Sequence, residues 1–122
     1  MTVYIRKIDR ATREQIQNFE KENNISLDGY RLWLSMSDGG EIIENGVSTI
    51  QLFGVAHKPL IKTGEHIVIG KLSYGDSIIL EEESVAIFNH EKERVQERFN
   101  NLSTLLSVIT GAEKFKVASK IS

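Results

Sequence analysis

The spacing of hydrophobic residues predicts three helices, because in three stretches such residues recur every three to four positions. The first helix is predicted over residues 12–23, where Ile16 and Phe19 share one face and Thr12 with Gln15 has the pattern of a capping box. Two further helices, over 28–37 and 101–110, are predicted from the residues that would form their apolar faces: Tyr30, Trp33, Leu34, Leu102, Leu105, Leu106 and Ile109. Glycine follows each of these two helices, which favours a helix end there.

Between residues 41 and 91 the pattern changes to short β-branched or alternating runs, which are typical of strands. The pair Asn45-Gly46 lies between apolar residues and predicts a tight hairpin. Short connections between the later runs predict antiparallel pairing of neighbours. The predicted strands lie within four ranges: 49–52, 66–70, 77–80 and 84–89.

Three segments are less clearly patterned. Residues 54–65 contain the only proline, Pro59, and are predicted to form the longest loop. Residues 91–100 fit either a short strand or a helical turn, and both alternatives stay open at this point. The tail, residues 112–122, has a weak pattern and is predicted to be loosely ordered.

The separation of helices from strands predicts an α+β fold. We expect an antiparallel sheet of about four to six strands, with two N-terminal helices and one C-terminal helix on one side or at one end of it. The 122 residues suit a single domain, residues 1–122, with a core at about 12–110. Hydrophobic residues make up 40% of the chain, which is enough for a core without disulfides.

Several classes of protein are disfavoured by composition. The chain contains no cysteine, which excludes disulfides, thiolate metal sites and a cysteine nucleophile. No apolar stretch approaches the ~18 residues of a membrane span, and the N-terminus lacks the apolar core of a secretory signal. We therefore expect no membrane partner and a cytoplasmic protein.

Candidate chemistry is sparse, and we expect no enzyme, no metal and no cofactor. Residues 70–77 have two glycines spaced as in a phosphate loop, but Asp76 stands where a lysine is needed, so a hairpin turn is the better interpretation. The three histidines, His57, His66 and His90, are not spaced as ligands of one metal ion. Consecutive glutamates at 81–83 suit a hydrated turn better than a catalytic pair.

The charge of the chain is unevenly distributed. The formal net charge is only −2, but residues 41–91 carry three lysines against eight carboxylates. A negative surface repels nucleic acid and attracts basic proteins. We therefore expect a basic protein partner and no nucleic acid.

The chain contains an ordered series of short motifs: Ile25–Leu34, Asp38-Gly39-Gly40, Leu52-Phe53-Gly54, Ile69-Gly70, Gly75-Asp76 and Asn101–Leu106. This series resembles the SUKH superfamily, which includes bacterial toxin-immunity proteins and fungal cell-wall synthesis regulators. The similarity covers about residues 12–110, and Asp28 stands where the family usually has proline. Proline is favourable in the first turn of a helix. An aspartate near a helix start is favourable for a different reason, its interaction with the helix dipole.

The resemblance implies an α+β domain without catalytic residues that neutralises a cognate protein toxin, often a nuclease, by binding it directly. The fungal relatives imply an alternative, an intracellular interaction or regulatory module. Resemblance does not locate the binding surface, so we place it by charge, on carboxylates near turns; the competing interpretation is that these residues only promote solubility. The predicted protein-binding residues are Glu41, Glu44, Asp76, Glu81, Glu82 and Glu83.

Overall fold

The computed structural model describes residues 3–56, 59–63, 66–82, 84–111 and 116–117. These residues form three helices and nine strands. The helices are α1 (Arg13–Asn23), α2 (Arg31–Leu34) and α3 (Leu102–Thr110). The strands are β1 (Val3–Arg6), β2 (Gly40–Glu44), β3 (Val47–Leu52), β4 (Ile61–Thr63), β5 (His66–Leu72), β6 (Ser77–Leu80), β7 (Val85–Asn89), β8 (Arg94–Phe99) and β9 (Lys116–Val117).

All nine described strands belong to one sheet. Its order is β8-β7-β6-β5-β3-β2-β1-β9, and β4 pairs with β5 beside this path. Every pair is antiparallel except β1 with β9, which is parallel. The predicted α+β class is confirmed, and the sheet has more strands than the four to six predicted.

The strands beyond the predicted number, β1, β4 and β9, are short. β1 was not predicted, because its residues become a strand only by pairing with β2, with Ile5 opposite Ile42. β4 lies in the predicted long loop. Segment 91–100, for which a strand and a helical turn were both open, contains the strand β8. β9 lies in the tail, whose other residues from 112 onward are outside the described ranges.

Local signals predicted two of the helices well. The capping box of α1 is present, since Thr12 Oγ1 accepts from the Gln15 N–H and Gln15 Oε1 accepts from the Thr12 N–H. Helix α3 begins after Asn101, whose side chain accepts from the Thr104 N–H, and ends at Gly111 with a φ of 73°. The predicted hairpin is also present, with positive φ at both turn residues, 45 and 46.

The second helix is much shorter than predicted. Only Arg31–Leu34 is helical, and turns flank it on both sides. Gly39 has a φ of +97° and turns the chain into β2, where a Cβ atom would lie 2.5 Å from the carbonyl oxygen of Leu52. Residues 35 and 36 form a turn between the end of α2 and this glycine, so the predicted segment 28–37 is helical only at its centre.

The hydrophobic core joins the helices to the sheet. Its fully buried side chains come from both classes of element: Leu27, Tyr30, Leu34, Ile42, Ile50, Leu52, Ile69, Ile78, Ile79, Val85, Leu105 and Leu106. Trp33 is half-buried against this core, as predicted, and its Nε1–H donates to the carbonyl of Gly39 at 2.8 Å. Burial, followed by the nearby charge of Asp38, raises the pKa of Tyr30 well above its ordinary value.

Several residues that carry the family resemblance meet in one place, which we call the 38–54 junction (Tyr30, Asp38, Gly39, Phe53 and Gly54). The Tyr30 hydroxyl donates to the Phe53 carbonyl at 2.6 Å. The buried carboxylate of Asp38 accepts backbone N–H groups from residues 55 and 56 at 2.6 and 3.0 Å. These groups satisfy one another inside the fold, so the junction has a structural role.

Candidate protein-binding groove

The predicted acidic residues do not form one surface. Glu41 and Glu44 lie on β2, far along the sheet from β6. Glu81 and Glu82 directly follow β6. Asp76 is buried, and Glu83 lies outside the described residues.

Asp76 corrects the prediction, because its carboxylate faces inward. Only 5% of its side chain is exposed. Its Oδ1 accepts the backbone N–H of His90 at 3.1 Å and lies 2.5 Å from His90 Nδ1. The His90 ring lies against Gly75, where a Cβ atom would be 3.2 Å from Cε1. Asp76 therefore ties the β5–β6 turn to the β7–β8 turn, and we remove it from the proposed binding surface.

The contact with His90 changes the titration of Asp76. Burial alone raises the pKa of this carboxyl, but the two hydrogen bonds and the charge of His90 outweigh it and bring the pKa below its ordinary value. A carboxyl with a lower pKa in the folded chain stabilises the fold above its unfolded pKa, about 3.9. This contribution is lost as the pH falls through the folded pKa.

Asp76→Asn is expected to lower the free energy of unfolding at pH 7 by about 1 kcal/mol, because the charge-assisted hydrogen bonds weaken. The difference between variant and wild type should shrink as the pH falls below about 4. Urea unfolding at pH 7 and at pH 3 measures both effects, and Glu22→Gln on the exposed face of α1 is the control. A loss that is equal at both pH values would contradict this role.

Glu41 lies in a row of mixed charge. It is opposite Arg6 on β1 and Gln51 on β3, and Gln51 is in turn opposite Lys71 on β5. A cavity of about 330 Å³ on this part of the sheet is lined by both Glu41 and Lys71. The neighbouring cations offset the negative charge, so this row is not an acidic surface.

A larger cavity, of about 630 Å³, lies between the connector before α2 and the turn after β6. We call it the acidic groove; its lining residues are Ser26, Asp28, Gly29, His66, Ile67, Leu80, Glu81 and Glu82. A neighbouring cavity of about 270 Å³ shares Asp28, Gly29 and Glu82 and reaches the start of α3. The two segments approach closely, since a Cβ atom on Gly29 would lie 3.0 Å from Leu80 Cδ1.

The carboxylates of the acidic groove differ in their availability. Glu81 is held by its own chain, because its Oε1 accepts from Arg98 Nε at 2.9 Å and from Ser84 Oγ at 3.2 Å. Glu82 is exposed. The Asp28 side chain is 73% exposed, with Arg31 at 3.4 Å. Asp28 and Glu82 are therefore the more exposed carboxylates of the groove, and Arg31 offsets part of the charge of Asp28.

Asp28 was not among the predicted binding residues. Its own sequence context indicated only a helix start, and no local signal pairs it with a residue more than fifty positions away. Folding brings it to the same cavity as Glu81 and Glu82. The groove is thus a product of the tertiary structure.

Among the described residues, no group of three or more His, Cys, Asp or Glu side chains could hold a metal ion. His66 lines the acidic groove with its ring centroid 5.3 Å from that of Phe88, and His57 is outside the described ranges. None of the helices in the described ranges has the length and apolar character that a membrane crossing requires.

Comparison with models of known protein families gave no match, and comparison with curated proteins gave none either.

Proposed function

We propose that this protein is a SUKH-like immunity protein, which acts in the cytoplasm and neutralises a cognate protein toxin by binding it, without catalysis. Two lines support the proposal. The order of short motifs along residues 12–110 resembles that family. The acidic groove offers a cavity in which accessible carboxylates from two separate segments meet.

The acidic groove is the observation that carries the proposal. A toxin that cleaves nucleic acid must attract phosphate, so it presents a basic surface. Asp28 and Glu82 would attract such a surface over several ångströms and speed its approach. Apolar residues of the same cavity, Ile67 and Leu80, would then exclude water around the contacts.

In this proposal, one molecule of the protein inhibits one molecule of the toxin. The bound protein covers the phosphate-binding surface of the toxin, so substrate no longer reaches it. No side chain of the groove needs to donate or accept a proton during this process. Stable binding alone accounts for protection.

The test is co-expression with the toxin encoded beside this protein in its source genome. We expect growth to be restored and a one-to-one complex to survive size-exclusion chromatography. Growth arrest together with no complex would contradict the proposal. A stable complex with a cellular protein that is not a toxin would instead favour the regulatory alternative.

A further inference from the structure

The turn between β2 and β3 holds the only Asn-Gly pair of the chain. The last backbone pair of the hairpin is Glu44 with Val47, so Asn45 and Gly46 alone form the turn. Both have positive φ, 52° and 83°, as in a type I′ turn. Residues 45–48 are exposed, and a Cβ atom on Gly46 would meet nothing within 4 Å. The peptide between the two residues therefore lies at an open hairpin tip.

This peptide can turn over within the hairpin. A type II′ turn has the same four residues with the central peptide reversed, a ψ of about −120° at the first turn residue and a negative φ at the second. Glycine accepts negative and positive φ about equally, so Gly46 permits the change. At that ψ the Gly46 nitrogen lies on the same side of the Asn45 Cα–C bond as the Cβ atom. The side-chain carbonyl carbon, Cγ, is then within reach of this nitrogen.

We propose that Asn45 is a site of spontaneous deamidation, with water as the only co-reactant. The Gly46 nitrogen gives its proton to water and attacks Asn45 Cγ, so that an N–Cγ bond forms. The bond from Cγ to the side-chain amide nitrogen breaks, and this nitrogen takes a proton from water and leaves as ammonia. A five-membered succinimide ring remains. Water then opens the ring at either carbonyl, which gives aspartate or, with the main chain running through Cγ, isoaspartate.

Asn24 provides a comparison within the same chain. It has the same φ as Asn45, 52°, and is also exposed. The residue that follows it is Ile25, whose N–H donates to the carbonyl of Glu20 at 3.0 Å. That nitrogen is already engaged, and the β-branched side chain of isoleucine crowds the approach to it. We therefore expect Asn45 to react and Asn24 to persist.

Each product changes the β2–β3 hairpin. Aspartate adds a negative charge next to Glu44, and isoaspartate lengthens the backbone of the turn by one methylene group. The longer turn displaces the pairing of Glu44 with Val47 and strains the strand that carries the buried Ile42 and Ile43. The modification destabilises the protein with time, and it does so whether or not the protein binds a toxin.

The test is incubation of the full-length protein at mildly alkaline pH, followed by peptide mapping with mass spectrometry. Asn45 is expected to change by the mass of one water gained and one ammonia lost, about tenfold or more faster than Asn24, because glycine leaves its nitrogen open and isoleucine does not. Both aspartate and isoaspartate should form. The matched variant is Asn45→Gln, which keeps the amide and the glycine but would need a six-membered ring, and its residue 45 should stay unmodified.

Equal rates at Asn45 and Asn24 would overturn the inference, and so would modification of the Asn45→Gln variant at the wild-type rate. Aspartate as the sole product would also overturn it, because direct hydrolysis of the side chain forms no ring and gives no isoaspartate. Urea unfolding then compares aged with fresh protein. The midpoint should fall for the wild type and stay constant for the variant, and an unchanged midpoint after full modification would contradict the expected strain.

Discussion

Replacing Gly54 by alanine is expected to lower the free energy of unfolding by about 3 kcal/mol, since the new methyl group has no space. A Cβ atom at this position would lie 2.2 Å from Asp38 Oδ1 and 2.3 Å from the Asp38 carbonyl oxygen. Moving Asp38 away would break its two hydrogen bonds to the backbone of residues 55 and 56. The 38–54 junction therefore cannot relax without losing a buried charge-assisted contact.

Gly46→Ala is the matched control for this prediction. Gly46 has a φ of +83°, but a Cβ atom there would meet nothing within 4 Å. The free energy of unfolding of this variant should fall by only about 1 kcal/mol, because alanine is strained in the left-handed backbone conformation. Urea unfolding of both variants tests the comparison, and equal losses would mean that the junction adapts more easily than its contacts imply.

The motifs around Tyr30, Asp38 and Gly54 contact one another inside the fold. Their order along a chain therefore carries information about architecture. The proposed acidic groove combines Asp28, from the motif Ile25–Leu34, with Glu81 and Glu82 from outside the motifs, so the resemblance alone does not locate it.

Reversing Asp28 and Glu82 to lysine is expected to slow association with a basic toxin by about tenfold or more at low ionic strength, because attraction becomes repulsion. Most of the effect should disappear at high salt, where the charges are screened. Stopped-flow fluorescence measures the association rate. Thermal unfolding checks that the fold is kept, since both side chains are exposed.

Glu41→Lys with Glu44→Lys is the comparison for the charge reversal. It changes the same number of charges at the other predicted location, where Arg6 lies opposite Glu41 and Lys71 lines the same cavity as Glu41, while Glu44 lies opposite Val3 and Val47. A small effect is expected there. If this pair slows association more than the Asp28 and Glu82 pair, the binding surface lies on the sheet and the acidic groove is not the site.

Local sequence signals predicted several elements correctly. Helix α1 follows from Thr12 and Gln15, since a capping box involves residues only three positions apart. The β2–β3 hairpin follows from Asn45-Gly46, because these two residues adopt positive φ at little cost. Helix α3 follows from its regular leucines. Each of these structures depends on interactions within a few residues.

Distant contacts decided what the sequence could not. β1 and β9 are strands because each pairs with a strand distant in sequence, β1 with β2 and β9 with β1. Asp76 looked like an exposed turn residue, but His90, fourteen positions later, covers it.

The sequence by itself thus determined the α+β class, the principal helices and the tight turns, because the residues involved interact with near neighbours. The tertiary structure alone decided which carboxylates are accessible and which are neutralised. Asp28 and Glu82 share a cavity while Glu81 is held by Arg98. The positions of these charges depend on distances between segments that are far apart in the chain. The spacing of residues along the sequence does not give those distances.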